Sequence, residues 1–390
     1  MNSVVSIEQP TKAAAYTGWL PSQKILEMIA DGEIRPSGIM TEIEPDQVQP
    51  ASIDLRLGDR AYPLDASFLP GAELRVFEKM RSIDQAFDRF AIDLRNGAVL
   101  ERGRLYLIPL AESIKLKSDV AAYANPKSST GRLDILTRLI ADRSALFDEV
   151  EEGYQGQLYL EVAPRSFSVV VRAGTRLNQL RFKRTRGEAP KSISESEWRQ
   201  LIAERQIVDA ASSATRRGLL PFSIDLRGSG VEGALVGWRA KKHARRIDLD
   251  RRDYDPLEYW EPIKFHRDAR LVLDPDEFYI LMTKEAIAVP PDFAAEMLPY
   301  EPRAGEFRVH YAGFFDPGFG WDATTRKAGS SRGVLEVRSH EMPFLLEHGQ
   351  GVGWLKYERM AERPQSLYGD AGQSNYQGQE LKLSKQFRPL

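Results

Sequence analysis

The sequence predicts a mainly β protein built as two tandem distorted barrels of jelly-roll type, with a few short helices. Three observations carry this. Patterns in the first half return in the second half in the same order. The recurring segments are short runs of β-branched, aromatic and leucine residues bounded by glycine, proline or charge. Helix-period patterns are confined to two places.

The repeats can be followed along the chain. Ser52-Ile53-Asp54-Leu55-Arg56 returns as Ser223-Ile224-Asp225-Leu226-Arg227, 171 residues later. Leu105-Tyr106-Leu107-Ile108 returns as Phe278-Tyr279-Ile280-Leu281, 173 later, and Asp119-Val120-Ala121-Ala122 as Asp292-Phe293-Ala294-Ala295. Leu160-Glu161-Val162 returns as Leu335-Glu336-Val337, and Leu180-Arg181-Phe182 as Leu355-Lys356-Tyr357, both 175 later. The slowly drifting offset implies two homologous units, 1–214 and 215–390. Strands are expected at Arg104–Pro109, Gly156–Val162 and Phe167–Val171, and regular turn signals between strands fit a closed or rolled sheet. A helix is expected from Pro21 to Gly32, with Ser22 as N-cap and Ile25, Leu26 and Ile29 as its apolar face. A second runs from Ser194 to Ile207 and bridges the units; Ser194 and Glu197 have capping-box spacing.

Bulk properties narrow the function classes. At 390 residues two domains are the natural division. A net charge of −2 supplies no global field for nucleic acid, and Lys241-Lys242-His243-Ala244-Arg245-Arg246 reads as a solvated loop. No cysteine is present, so disulfides, thiolate zinc sites and cysteine nucleophiles are excluded. The five histidines include no i,i+4 pair. No apolar run has membrane-spanning length, Met1-Asn2-Ser3 is unlike a signal peptide, and the first fifteen residues read as a flexible lead-in; a cytoplasmic protein without membrane or nucleic-acid partners is expected.

One turn stands out. In Val309-His310-Tyr311-Ala312-Gly313-Phe314-Phe315-Asp316-Pro317-Gly318 a carboxylate sits in a Pro-Gly turn directly after a strand pattern. Counting back from Glu161, the first unit has Glu151-Glu152-Gly153 there. Conversely, Lys127-Ser128-Ser129-Thr130-Gly131-Arg132 belongs to the first unit only; the matching place in the second, near Pro299-Tyr300-Glu301-Pro302-Arg303, has no Ser-Ser.

Taken together, Gln49 to Gly58, Ser128 to Leu133, the Ala312–Gly318 turn and Tyr376-Gln377-Gly378-Gln379 resemble the dCTP deaminase branch of the dUTPase superfamily. The resemblance implies dUTPase-like barrels. That family forms homotrimers with active sites between subunits, one lending the serine loop, its neighbour the Asp-Pro-Gly hairpin, a catalytic glutamate and the tail. Here one set of parts is divided between two units, which implies a single composite site. Glu336 matches the catalytic glutamate, whereas its twin Glu161 reads as an ordinary exposed strand residue. Ser128 and Arg132 match the residues that orient water and offset charge. Lys127 and Ser129 match phosphate contacts, the backbone of His310 and Ala312 the reader of the base edge, and Asp316 the partner of the 3′-hydroxyl. Tyr368, Tyr376 and Gln379 match the closing tail.

The implied activity is zinc-independent conversion of dCTP to dUTP and ammonia on the way to dUMP and dTTP. Mg²⁺ would ride on the triphosphate, dTTP would act as an inhibitor, and the chain would work as a monomer or homodimer. The alternatives are a dUTP pyrophosphatase, an enzyme catalysing both steps, and a non-catalytic nucleotide sensor. Three departures from the family pattern bear on this: Lys127 replaces arginine, Asn375 replaces a tail lysine for which Lys382 or Lys385 could compensate, and residues 321–333 lengthen the path from Asp316 to Glu336.

Overall fold

The computed structural model describes residues 16–188, 193–209, 217–299, 307–310, 313–339, 341–370, 378 and 380–389, with the backbone alone at 299 and 307–310. The lead-in, residues 1–15, lies outside that set. The chain is mainly β, as expected. In the first half one sheet runs, neighbour to neighbour, Glu149–Val150, Val120–Pro126, Arg176–Arg184, Ser52–Arg56 and Val48–Gln49. A second sheet of that half is formed by Ile135–Ala141, Gln155–Pro164, Leu105–Lys115, Arg60–Leu64 and Ile92–Asp93. The second half repeats the scheme with Leu219–Ser223, Gly351–Arg359, Phe293–Pro299 and Phe314–Phe315 in one sheet, and Trp260–Lys264, Leu235–Ala240, Tyr279–Ala286, Arg332–Ser339 and Phe307–His310 in the other.

Register repeats with sequence. Phe182 pairs with Ala122, as Tyr357 pairs with Ala295. Across the first half Tyr62, Leu107, Glu161 and Arg138 stand side by side on adjacent strands. Trp238, Ile280, Glu336 and His310 form the matching row in the second. Because strand residues alternate faces, the neighbours of each row point the other way. Tyr106 and Ile108 enter the core of the first half, and Tyr279 and Leu281 that of the second.

The two rows meet different surroundings. Trp238, Ile280, Phe278 and Val334 of the second half join the cluster that contains Ile53, Ile108 and Leu160 of the first. The halves are therefore packed through apolar surface, which gains roughly 25 cal/mol per Å² removed from water. A parallel pairing of Val169–Val171 with Ile247–Asp248 adds backbone hydrogen bonds across the junction.

Local details depart from the sequence reading. The first helix is Ser22–Ala30, and its N-cap is Pro21, held extended, so Ser22 is the first helical residue and its hydroxyl meets that of Ser366 at 3.2 Å. Ile25 and Met28 are buried while Leu26 is exposed. The second helix is shorter, Glu195–Ala203. Ser194 caps it by accepting from the Glu197 N–H, but the Glu197 carboxylate does not return the bond because it pairs with Arg359 at 2.7 Å. Its Trp198 and Leu201 pack in the core of the second half. Within 321–333, Trp321–Asp322 and Lys327–Ala328 form a small hairpin of their own.

Candidate active site

The serine loop owes its shape to one tight helical turn. Lys127 is extended, Ser128–Gly131 make the turn, and the Arg132 N–H closes it on the Ser128 carbonyl at 3.0 Å. Ser128 stays exposed and Ser129 is buried. The turn sends Arg132 toward the other half, where its Nε lies 3.9 Å from Glu336 Oε1 with both side chains buried. Nη1 of Arg132 donates to the Lys382 carbonyl at 2.8 Å. Two residues further along the chain in each half a second pair has the opposite sense: Arg338 donates to Asp134, which also accepts from the Ser166 hydroxyl at 2.6 Å. Glu336 and Arg338 share a strand face, since they are two apart. The reversed pairs thus lock one register between the halves.

Glu336 is 6% exposed. Burial pushes its carboxyl up to about 8, against the pull of the Arg132 guanidinium. At neutral pH it can hold a proton, and it stands beside a cation that favours the carboxylate left when that proton is given away. This is the electrostatic setting of a general acid that becomes a base.

Asp316 opens the Pro-Gly turn. Its Oδ1 accepts from Arg181 Nη2 at 2.7 Å, and Arg181 belongs to the first half. Arg181 is fully buried, stacks over Phe314 at 4.2 Å and donates to the Ala295 carbonyl at 3.2 Å. Burial raises the Asp316 carboxyl while Arg181 opposes the rise. Gly318 has φ of +96°, and a Cβ there would lie 2.8 Å from the Tyr368 nitrogen and Leu367 Cβ. The glycine lets the tail approach: Tyr368 donates its N–H to the Pro317 carbonyl at 2.8 Å, and its ring lies 5.6 Å from that of Phe319.

Beside the serine loop lies a cavity of about 290 Å³ whose lining includes Lys127, Ser129, Arg176, Arg252 and Lys385. Lys127 pairs with Asp54, and Arg176 with Asp46 at 2.8 Å. Lys385 is half-buried, and burial together with Lys127 and Arg252 lowers its pKa. The tail brings it there: Ser384 Oγ donates to the Ser129 carbonyl at 2.7 Å, and Gln386 Nε2 to the Leu249 carbonyl at 3.0 Å. Phe387 is seated against Tyr259 and Trp260, with ring centroids 5.5 and 6.0 Å apart.

Of the residues singled out in the sequence, Glu336 and Arg132 are neighbours, and Lys127 and Ser129 line the cavity. His310 is paired with Glu336 across adjacent strands. The His310 side chain, Ala312, Tyr376 and Gln379 lie outside the described residues. Glu161 corrects the reading made of it. It is 1% exposed rather than solvated, because Arg138, its cross-strand neighbour, binds it at 2.7 Å while stacking over Phe147 at 4.1 Å. Arg181, Arg338, Asp134, Arg176 and Arg252 were not anticipated. The one available signal was Arg181 recurring as Lys356, a basic residue at matching places in the two halves.

Known proteins place this architecture. The family model for the N-terminal domain of 2′-deoxycytidine 5′-triphosphate deaminase matches residues 16–186, and the model for its C-terminal domain matches 194–387. A dCTP deaminase of Natronomonas pharaonis is 30% identical over 148 residues, 37% of this chain and 69% of that protein. A dUMP-forming dCTP deaminase of Bifidobacterium adolescentis is 31% identical over 164 residues, 42% of this chain and 77% of that one. The crystal structure of 2′-deoxycytidine 5′-triphosphate deaminase from Agrobacterium tumefaciens superposes with a TM-score of 0.79 at 48% identity, covering 88% of this chain and 99% of that one. The chain belongs to the dCTP deaminase family, and it is an enzyme that deaminates dCTP.

Proposed function

We propose that the reaction runs without zinc at one composite site, with Glu336 from the second half and the serine loop from the first. The observation that carries this is the buried Glu336, protonated near neutrality and facing Arg132 of the other half. Glu336 gives its proton to N3 of the cytosine as water, oriented by Ser128, adds at C4. The resulting carboxylate, stabilised by Arg132, takes a proton from the added water and passes it to the amino group. The C4–N bond then breaks and ammonia leaves; the C4 hydroxyl gives its remaining proton to the Glu336 carboxylate as the carbonyl forms, which restores the starting acid. Water and dCTP are consumed; dUTP and ammonia are produced. Asp316, held by Arg181, would receive the 3′-hydroxyl.

The triphosphate would lie in the basic cavity against Lys127, Ser129 and Lys385, the last replacing the lysine missing at Asn375. Mg²⁺ would be carried by phosphate oxygens and water, since Asp46, Asp54 and Asp250 on the cavity wall are each paired with a basic side chain. A second reading, that dUTP is also hydrolysed, is favoured by relatives named dUMP-forming in Bifidobacterium adolescentis and Methanopyrus kandleri. Incubation with dCTP and, separately, with dUTP, following ammonia and pyrophosphate, tests both. Ammonia from dCTP is expected, and its loss in Glu336→Gln; undiminished release from that variant removes Glu336 from the chemistry.

A further inference from the structure

The same connection in the two halves does opposite things. In the second half residues 241–259 leave the sheet, and Ile247–Asp248 pairs with Val169–Val171 of the first half. The row Trp238, Ile280 and Glu336 is left facing the first half. In the first half residues 65–91 fold back over their own sheet instead. Their helix Val76–Ile83 sets Val76 and Met80 on Leu107, Ile140 and Tyr159. Phe77 packs against Tyr62 at 5.5 Å and Tyr159 at 5.3 Å, and Phe87 against Tyr62 at 5.4 Å. Ser67 accepts from Arg138 at 2.8 Å, closing the pair that Arg138 makes with Glu161. Asp142 pins the helix start by accepting the Val76 N–H at 2.8 Å.

We propose that residues 65–91 are a built-in cover, standing on the first half where the first half stands on the second. They keep the Glu161 row shut, so that the chain has one working site for its two barrels. The face they occupy corresponds residue for residue to the one that carries Glu336: Tyr62 to Trp238, Leu107 to Ile280, Glu161 to Glu336, Arg138 to His310. The cover supplies the apolar partner that this face would otherwise take from another barrel, and the Arg138 guanidinium occupies the place beside the carboxylate.

The proposal rests on Glu336 being the working carboxylate, and the experiment separates the two ideas. Calorimetric titration of full-length Glu336→Gln with dCTP is expected to give one nucleotide per chain; two per chain would overturn the cover whatever the role of Glu336. Full turnover by Glu336→Gln would instead remove the carboxylate assignment. Glu161→Gln is expected to keep kcat and KM within about twofold, and a tenfold loss in the folded variant overturns the proposal. Phe77→Asp with Met80→Asp should expose the segment to trypsin at Arg75, Lys79 and Arg81 while deamination continues. Lost turnover in a variant with unchanged circular dichroism would place the segment in the catalytic machinery. Phe77→Ala answers the same question should the double variant fail to fold.

Discussion

Glu336→Gln is expected to alter stability in a pH-dependent way that can be worked out from the site. In the folded chain the carboxyl stands near 8, against about 4.3 when unfolded. Between those values the folded chain keeps a proton that the unfolded chain releases. Stability from this group is therefore complete below about pH 4 and is lost as pH rises through 8. At ~1.36 kcal/mol per pKa unit, the wild type loses roughly 3 to 4 kcal/mol between pH 5 and pH 8 through this residue alone. Glutamine cannot ionise and is close in size, so the variant should lack that slope and be the more stable protein at pH 8. Urea unfolding of both proteins at pH 5, 6.5 and 8 measures it. Parallel pH dependences would refute the reasoning, because a group that contributes no slope is not held protonated by burial. In the same preparations kcat should fall by about 10² to 10⁴, and the wild-type kcat/KM should decline above pH 8 as the acid form is lost.

Arg132→Ala removes the charge that holds the Glu336 carboxyl down, so the alkaline limb of kcat/KM should move to higher pH while kcat drops roughly a hundredfold; Arg132→Lys should leave the limb nearly in place. Arg181→Met strands Asp316 as a buried carboxylate and should cost about 3 to 5 kcal/mol in urea unfolding, part of it recovered by adding Asp316→Asn. Lys385→Met should raise KM for dCTP about tenfold with kcat within twofold, as expected for one lost charge-assisted contact to phosphate. Chelation with EDTA should lower kcat/KM for dCTP, and Mg²⁺ should restore it.

The β class and the recurring segments were legible because they are local. Period-two strands, a Ser-Ser turn, an Asp-Pro-Gly turn and a recurring Leu-Glu-Val are written in consecutive residues. Cap geometry was legible in part: Ser194 caps its helix, whereas at Ser22 the extended Pro21 takes that place, one residue earlier. The state of a carboxylate was not legible. Leu160-Glu161-Val162 and Leu335-Glu336-Val337 are the same tripeptide at matching places, and both glutamates are buried.

What separates them lies far away in sequence. Glu161 is neutralised by Arg138, 23 residues back, under a cover drawn from 65–91. Glu336 meets Arg132, 204 residues away, across an interface set by Asp134 and Arg338. Sequence by itself determined the parts, because strand alternation and turn chemistry depend on near neighbours. Only the tertiary structure decided which part is exposed to which charge, because desolvation and Coulomb energies depend on distance in space and on the water excluded between the groups.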